Sequence, residues 1–194
     1  MCASLYGVAV EQGFAQIADR VANKNINQRR CNVAADFSHV LTMTGTSSNL
    51  ANPRFSYDTM GTNCLDTLQD FIGTANPEGL NARQWKDTHW QEPLGMEHTQ
   101  WGNVFSGSLG CGFGAETSCR DLARAAQLWA NKGQWNGAGQ LMNKNYAETG
   151  VTDVYPNSGT DYGYTLWLNG NDPVAKDVAG FNGMFAQCKP VHGC

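Results

Sequence analysis

The residues best suited to metal chemistry lie near the end of the chain, where Cys188, His192 and Cys194 stand close together. Cysteine thiolates and histidine nitrogens are the usual zinc ligands, but a tetrahedral structural site needs four of them. A fourth ligand at suitable spacing is missing. Residues 110–114 are rich in glycine, yet they lack the Gly-Lys-Ser/Thr ending of a phosphate-binding loop. The sequence therefore predicts no metal site, no phosphate-binding loop and no cofactor.

Seven cysteines make disulfide formation the next chemistry to consider. They would pair in an oxidising compartment, whereas in a reducing cytosol most would be buried thiols. The spacing favours three pairs and leaves Cys2 over: Cys31 with Cys64, Cys111 with Cys119, and Cys188 with Cys194. Six cysteines already allow fifteen pairings, so the connectivity stays open. The cysteine content favours an extracytoplasmic location or an organellar lumen.

The elements that must position these residues are mostly helices. Apolar residues at helical spacing, together with capping residues and glycine stops, mark the helical segments. They are residues 3–12, a short stretch after Asp36, residues 63–72, a stretch that Asn81 opens, a stretch that Ser118 opens, and residues 143–148. Strand character comes late, at residues 162–168 and 177–186. Many helices followed by a little sheet predict an α+β fold, and no linker divides residues 1–194.

Composition argues against two classes of function. The net charge is −4, and no basic cluster exceeds the pair Arg29 and Arg30. Nucleic-acid binding needs a basic surface, so we expect no nucleic-acid partner. No segment approaches the roughly eighteen continuous apolar residues of a transmembrane helix. Residues 1–13 lack the basic start of a signal peptide and are typical of the middle of a buried helix.

A series of short motifs runs along almost the whole chain. They are residues 7–13, residues 39–45, residues 55–57 with 61–65, residues 93–96, residues 118–123 with Trp129, Gly133 and Gly137, residues 162–164, and Ala179, Gly180 and Gly183. In this order they resemble the β-lactamase-related serine hydrolases, which include class C β-lactamases, penicillin-binding carboxypeptidases, esterases and amide hydrolases. The resemblance implies a β-lactamase-like fold, mainly its helical domain with a partial antiparallel sheet.

The resemblance also implies roles for individual residues. Tyr57 matches the tyrosine of the family's second motif, a general acid/base that faces the nucleophilic serine. A free serine hydroxyl is a weak nucleophile, and in this family a Lys one helical turn later helps to activate it. Gly180 and Asn182 lie in the region of the third motif, which borders the substrate. The alternative for Tyr57 is an aromatic plug in a loop rich in glycine and asparagine.

The nucleophile of that family is missing from residues 1–194, because no serine is followed by Lys three residues later. Counting back from Gly7, the Ser-x-x-Lys motif would lie within about one helical turn upstream of Met1. Val178 stands at the third motif's Lys or His position. The chain also stops before the family's later strands and C-terminal helix. We therefore expect residues 1–194 to form one incomplete domain, truncated at both ends.

Two functions remain open at this point. The first is a serine hydrolase acting on an ester, amide or β-lactam, of which residues 1–194 are a fragment that is inactive by itself. The second is a non-catalytic, β-lactamase-like subunit with a structural or accessory role in a larger assembly. In both cases the expected partner is the remainder of the same polypeptide or another protein subunit.

Overall fold

The structure is a computed structural model that describes residues 1–24, 26, 30–101, 109–112 and 114–168. The predicted strand at residues 177–186, the third-motif residues Gly180 and Asn182, and the pair Cys188 and Cys194 lie outside the described residues.

Helices dominate the described part of the chain. They are α1 (Cys2–Glu11), α2 (Phe37–Leu41), α3 (Thr59–Leu65), α4 (Thr67–Ala75), α5 (Ala82–Lys86), α6 (Glu92–Leu94), α7 (Cys119–Ala130) and α8 (Lys144–Gly150). A 3₁₀ turn spans Val21–Lys24, and a π-helical turn at Asp87–Gln91 joins α5 to α6. None of the described helices is long and apolar enough to cross a membrane.

Two small antiparallel sheets accompany the helices. Strand β1 (Thr99–Trp101) pairs with β2 (Ala115–Thr117), and β3 (Gln134–Trp135) pairs with β4 (Gly139–Gln140). The prediction of an α+β fold with a partial antiparallel sheet is confirmed. The described strands lie between helices rather than after them, since β1 and β2 precede α7 and β3 and β4 follow it.

Side-chain caps begin the helices where the sequence predicts them. Asp36 accepts a hydrogen bond from the backbone N–H of His39 at the start of α2. Asn81 and Gln84 form a capping box at α5, and the Ser118 hydroxyl accepts from the Asp121 N–H at 3.2 Å. Such caps satisfy N–H groups that have no partner within the helix. The side chains of the capping residues therefore determine where α2, α5 and α7 begin.

Two predicted elements are wrong in detail. Residues 63–72 are not one helix, since α3 and α4 meet at Asp66. The Asp66 carboxylate is occupied by the backbone N–H groups of Cys111, at 2.7 Å, and Gly112, at 3.3 Å. Residues 162–168 form a single antiparallel bridge rather than a strand. Thr165 turns the chain there with a φ of 56°, and its N–H donates to the Leu41 carbonyl at 2.8 Å.

The core lies around α1 and α4. Tyr6 of α1 packs on Phe37 and Phe71, with ring centroids 4.7 and 5.7 Å apart. The far side of α1 is fixed by buried hydrogen bonds: the Trp129 indole N–H donates to the Ser4 hydroxyl at 2.8 Å, and the Tyr146 hydroxyl donates to the Ala3 carbonyl. Helix α1 is therefore the central element against which α4, α7 and α8 pack.

One of the two predicted disulfides in the described region is present. Cys31 is bonded to Cys64, as the spacing suggests. Cys111 is bonded to Cys2, so the predicted pair Cys111–Cys119 is wrong, and so is the expectation that Cys2 is left over. Spacing along the sequence could not show this pair, because Cys2 and Cys111 are 109 residues apart and meet only in the folded chain. Cys119 is disulfide-bonded as well, to a partner other than Cys111.

Candidate active site

Tyr57 lies in an extended segment directly before α3. Two backbone hydrogen bonds hold this segment, one to the loop that contains Ser158 and one to the motif at residues 39–45. The Phe55 N–H donates to the Ser158 carbonyl at 3.0 Å, and the Ser56 N–H donates to the Met43 carbonyl at 2.9 Å. The position of Tyr57 is therefore set both by the motif at residues 39–45 and by the loop that contains Ser158.

The turn after Tyr57 is tightly specified. The Asp58 carboxylate caps α3 by accepting from the Gly61 N–H at 2.8 Å. This hydrogen bond, with a second from the Ser56 side chain, lowers the pKa of Asp58. A side chain at position 61 would overlap the Ser56 carbonyl oxygen, so only glycine fits the turn. Gly61 and the Asp58 carboxylate together fix the backbone conformation of this turn, and with it the orientation of the Tyr57 side chain.

Four aromatic rings form a surface beside this turn, which we call the aromatic platform: Phe55, Tyr57, Tyr162 and Trp167. Phe55 stacks on Tyr57 with a centroid distance of 6.2 Å and an interplanar angle of 19°. Trp167 contacts Tyr57 at 5.4 Å and Phe55 at 5.3 Å, while Tyr162 contacts Trp167 at 5.1 Å. Tyr162 is buried, whereas 54% of Tyr57 is exposed. The platform thus has a buried base and an open edge.

The open edge places the Tyr57 hydroxyl where a reacting group could reach it. A phenol is one of the side chains that exchange protons with substrates, provided that a partner lies within hydrogen-bond reach. The alternative of an aromatic plug fits a buried ring better than one that is half exposed. The assignment of Tyr57 as a general acid/base stays a prediction.

A polar cluster lies behind this segment and joins three parts of the chain. His39 Nδ1 is 2.6 Å from Asp36 Oδ1, and His39 Nε2 is 3.2 Å from the Leu50 carbonyl oxygen. The Tyr155 hydroxyl is 3.3 Å from His39 Nε2 and 2.5 Å from the Ser38 hydroxyl. The cluster ties α2 to the loops that contain Leu50 and Tyr155.

The protonation state of His39 decides what this cluster can do. Burial alone would lower the pKa of His39, but the hydrogen bond and charge of Asp36, with the Leu50 carbonyl, raise it overall. Burial opposes ionisation of Asp36 too, yet the hydrogen bonds from His39 lower the pKa of Asp36 overall. An imidazolium donates from both nitrogens and accepts from neither. Both ring nitrogens of His39 face acceptor oxygens, the Asp36 carboxylate and the Leu50 carbonyl, so His39 links these two groups.

Sequence reasoning identified residues 39–45 as a motif but missed this cluster. The three-residue spacing of Asp36 and His39 on a short helix is a usable signal, because such side chains share a helix face. Nothing in the sequence links Tyr155 to His39. Trp167 was likewise missed as a neighbour of Tyr57, because only the folded chain brings them together. The third-motif residues Gly180 and Asn182 lie outside the described residues, so their roles remain predictions.

No protein-family model matches the sequence, and no curated protein matches it. Solved structures do match. A β-lactamase-like protein from Bacteroides dorei aligns with a TM-score of 0.64 at 15% identity, covering 93% of this chain and 66% of that one. The octameric penicillin-binding protein homologue from Pyrococcus abyssi aligns with a TM-score of 0.60 at 18% identity, covering 85% of this chain and 51% of the other.

This chain has the β-lactamase-like fold. A 6-aminohexanoate-dimer hydrolase-like protein from Bacillus anthracis also aligns with a TM-score of 0.63 at 15% identity, covering 88% of this chain and 57% of that protein. The chain thus spans between about half and two thirds of these three β-lactamase-like structures. The resemblance drawn from the motifs is confirmed for the fold, and the identities of 15–18% show the fold alone.

Proposed function

We propose that residues 1–194 are the helical part of a serine hydrolase that transfers acyl groups from an ester or amide, with Tyr57 as its general acid/base. The observation that carries this proposal is the placement of Tyr57: half exposed, at the capped start of α3, in a chain with the β-lactamase-like fold. The similar structures include a β-lactamase-like protein and a 6-aminohexanoate-dimer hydrolase-like protein, which supports a hydrolase with acyl transfer as its reaction class.

Residues 1–194 alone are inactive under this proposal, because they contain no Ser-x-x-Lys pair. The nucleophile comes from the remainder of the polypeptide, upstream of Met1. Tyr57 would then take the serine proton during attack and return it to the leaving group, as a general acid/base does. Disulfides at Cys2–Cys111 and Cys31–Cys64 support an oxidising compartment for the protein.

The first test uses the chain as it stands. Purified residues 1–194 are incubated with a chromogenic β-lactam, a p-nitrophenyl ester and a fluorophosphonate probe. We expect no turnover and no covalent labelling. Labelling that disappears when one serine of residues 1–194 is replaced would show a different nucleophile and overturn the proposal.

The second test addresses Tyr57 in the longer protein. The coding sequence upstream of Met1 is read, and the longer protein is assayed with the substrate that it turns over. Tyr57→Phe should lower kcat by about a hundredfold to ten-thousandfold, as loss of a general acid/base typically does. Tyr155→Phe is the matched control, because it removes a phenol that bonds Ser38 instead, and kcat should stay unchanged. An unaltered kcat in Tyr57→Phe, or no Ser-x-x-Lys upstream, contradicts the proposal.

A further inference from the structure

The tip of the hairpin formed by β3 and β4 places an asparagine directly before a glycine. Asn136 and Gly137 follow β3, and both are exposed. The Ala138 N–H donates to the Trp135 carbonyl at 3.1 Å, which closes a turn around the pair. Gly137 has a φ of 89°, a conformation that glycine adopts without steric strain. Asn-Gly is a favoured pair in hairpin turns for this reason.

The two groups that could react with each other in this turn have no competing partner. In the described part of the chain, the Asn136 side chain forms no hydrogen bond, and the Gly137 N–H donates to no acceptor. Nothing lies within 4 Å of the position that a Cβ of Gly137 would take. The side-chain amide carbon of Asn136 and the backbone nitrogen of Gly137 are therefore adjacent in the sequence, exposed to water and not held by other groups.

We propose that Asn136 is a site of spontaneous deamidation in the folded protein. The Gly137 nitrogen attacks the side-chain amide carbon of Asn136 and forms a cyclic imide, while the bond to the amide nitrogen breaks and ammonia leaves with the Gly137 proton. Water then opens the imide. Cleavage of the new bond gives aspartate, and cleavage of the original peptide bond gives isoaspartate. The reaction consumes water, releases ammonia and adds a negative charge to a chain whose net charge is −4.

The other asparagines of the described chain lack this combination of features. Asparagine is a chemically labile residue in general, but among the described residues Asn136 is the asparagine that precedes glycine. Asn76 is buried and precedes Pro77, which has no N–H to react. Asn143 caps α8, and its side-chain oxygen accepts from the Tyr146 N–H at 3.1 Å. Sequence and structure therefore both single out Asn136.

The base of the hairpin confines the modification to its tip. The Leu141 and Met142 N–H groups both donate to the Gly133 carbonyl, at 2.9 and 3.1 Å. Met142 is buried, and a side chain at position 133 would overlap its carbonyl oxygen. Isoaspartate lengthens the backbone of the tip, so the pairing of Trp135 with Gly139 is the contact that it disturbs. The contacts between residues 133 and 142 should remain.

The test compares folded residues 1–194 with the same chain in guanidinium, both kept at mildly alkaline pH and sampled over time. Tryptic peptide 133–144 contains both Asn136 and Asn143, so mass spectrometry of this peptide includes its own control. We expect Asn136 in the folded chain to deamidate within about threefold of its rate in guanidinium, because exposed turns open at almost no cost in free energy. Asn143 should keep its amide in the folded chain. Deamidation of Asn136 in guanidinium alone, or equal deamidation of both residues in the folded chain, would overturn the proposal.

The products and one variant test the route. Electron-based fragmentation distinguishes isoaspartate from aspartate, and the cyclic imide predicts both; aspartate alone would mean direct hydrolysis and contradict the role of Gly137. Asn136→Gln should lose the deamidated signal at this position, since its longer side chain needs a larger ring, and an undiminished signal would contradict the mechanism. The thermal midpoint of the deamidated chain should lie within about 2 °C of the unmodified one, as for other surface changes. A larger drop would show that the hairpin base does not confine the change.

Discussion

His39 Nδ1 lies 2.6 Å from Asp36 Oδ1 at the start of α2, and the other His39 ring nitrogen lies 3.2 Å from the Leu50 carbonyl oxygen of a neighbouring loop. The pKa of His39 is raised, so its contribution to stability is complete below the ordinary His pKa of about 6.5 and is lost as the pH rises through the higher folded value. The pKa of Asp36 is lowered, so its contribution is complete above about 3.9 and is lost as the pH falls through the folded value.

Asp36→Asn should therefore destabilise the chain most between about pH 4 and pH 6.5, by about 1–3 kcal/mol, which is typical of a hydrogen bond between charged groups. The difference in the free energy of unfolding between the variant and the wild type should shrink at alkaline pH, because His39 becomes neutral there. Urea unfolding from pH 4 to pH 9 measures it, with the exposed Glu97→Gln as control. A difference in the free energy of unfolding that is constant over this range would mean that His39 does not change its protonation state between pH 4 and pH 9.

The two disulfides should stabilise the chain to different extents. Cys2–Cys111 closes a loop of 109 residues and Cys31–Cys64 a loop of 33 residues. In the chain-entropy model the longer loop contributes about 4–5 kcal/mol and the shorter about 3–4 kcal/mol. The double variants Cys2→Ala/Cys111→Ala and Cys31→Ala/Cys64→Ala should lose stability in that order on urea unfolding. Non-reducing peptide mapping that joins Cys111 to Cys119 would contradict the connectivity.

These disulfides show how far sequence reasoning could reach. The motifs gave the fold class, and the capping residues gave the helix starts, because both are local properties of a few neighbouring residues. The pairing of Cys2 with Cys111 joins residues 109 positions apart, and the Cys111 N–H also donates to the Asp66 carboxylate between α3 and α4. The aromatic platform likewise joins Tyr57 to Trp167 across more than a hundred residues. Long-range contacts of this kind leave no periodic signal in a single sequence.

Gly61 should tolerate no side chain. A Cβ at this position would overlap the Ser56 carbonyl oxygen, so Gly61→Ala forces the backbone before Tyr57 to move. We expect a loss of about 1–3 kcal/mol, as in other overpacked sites. Thr59→Ala is the control, because Thr59 is an exposed residue of the same helix and its replacement should have little effect on the free energy of unfolding. Equal thermal unfolding midpoints for the two variants would show that the turn is not tightly specified.

The last prediction concerns the buried contact between α1 and α7. The Trp129 indole N–H donates to the Ser4 hydroxyl at 2.8 Å, and both side chains are buried. Ser4→Ala removes the acceptor and leaves a buried donor unpaired, which costs about 1–3 kcal/mol. Trp129→Phe removes the donor and leaves a space, so it should cost more than Ser4→Ala because a cavity is added to the lost bond.

A double variant separates these two effects. Once Trp129 is replaced by Phe, Ser4→Ala no longer leaves a buried N–H without an acceptor. The loss in free energy of unfolding caused by Ser4→Ala should therefore be much smaller in that background than in the wild type. Ser48→Ala is the control, because Ser48 is exposed and its replacement should change the free energy of unfolding by less than about 0.5 kcal/mol. If Ser4→Ala costs the same in both backgrounds, the hydrogen bond does not couple the two helices, and α7 is held against α1 by apolar packing alone.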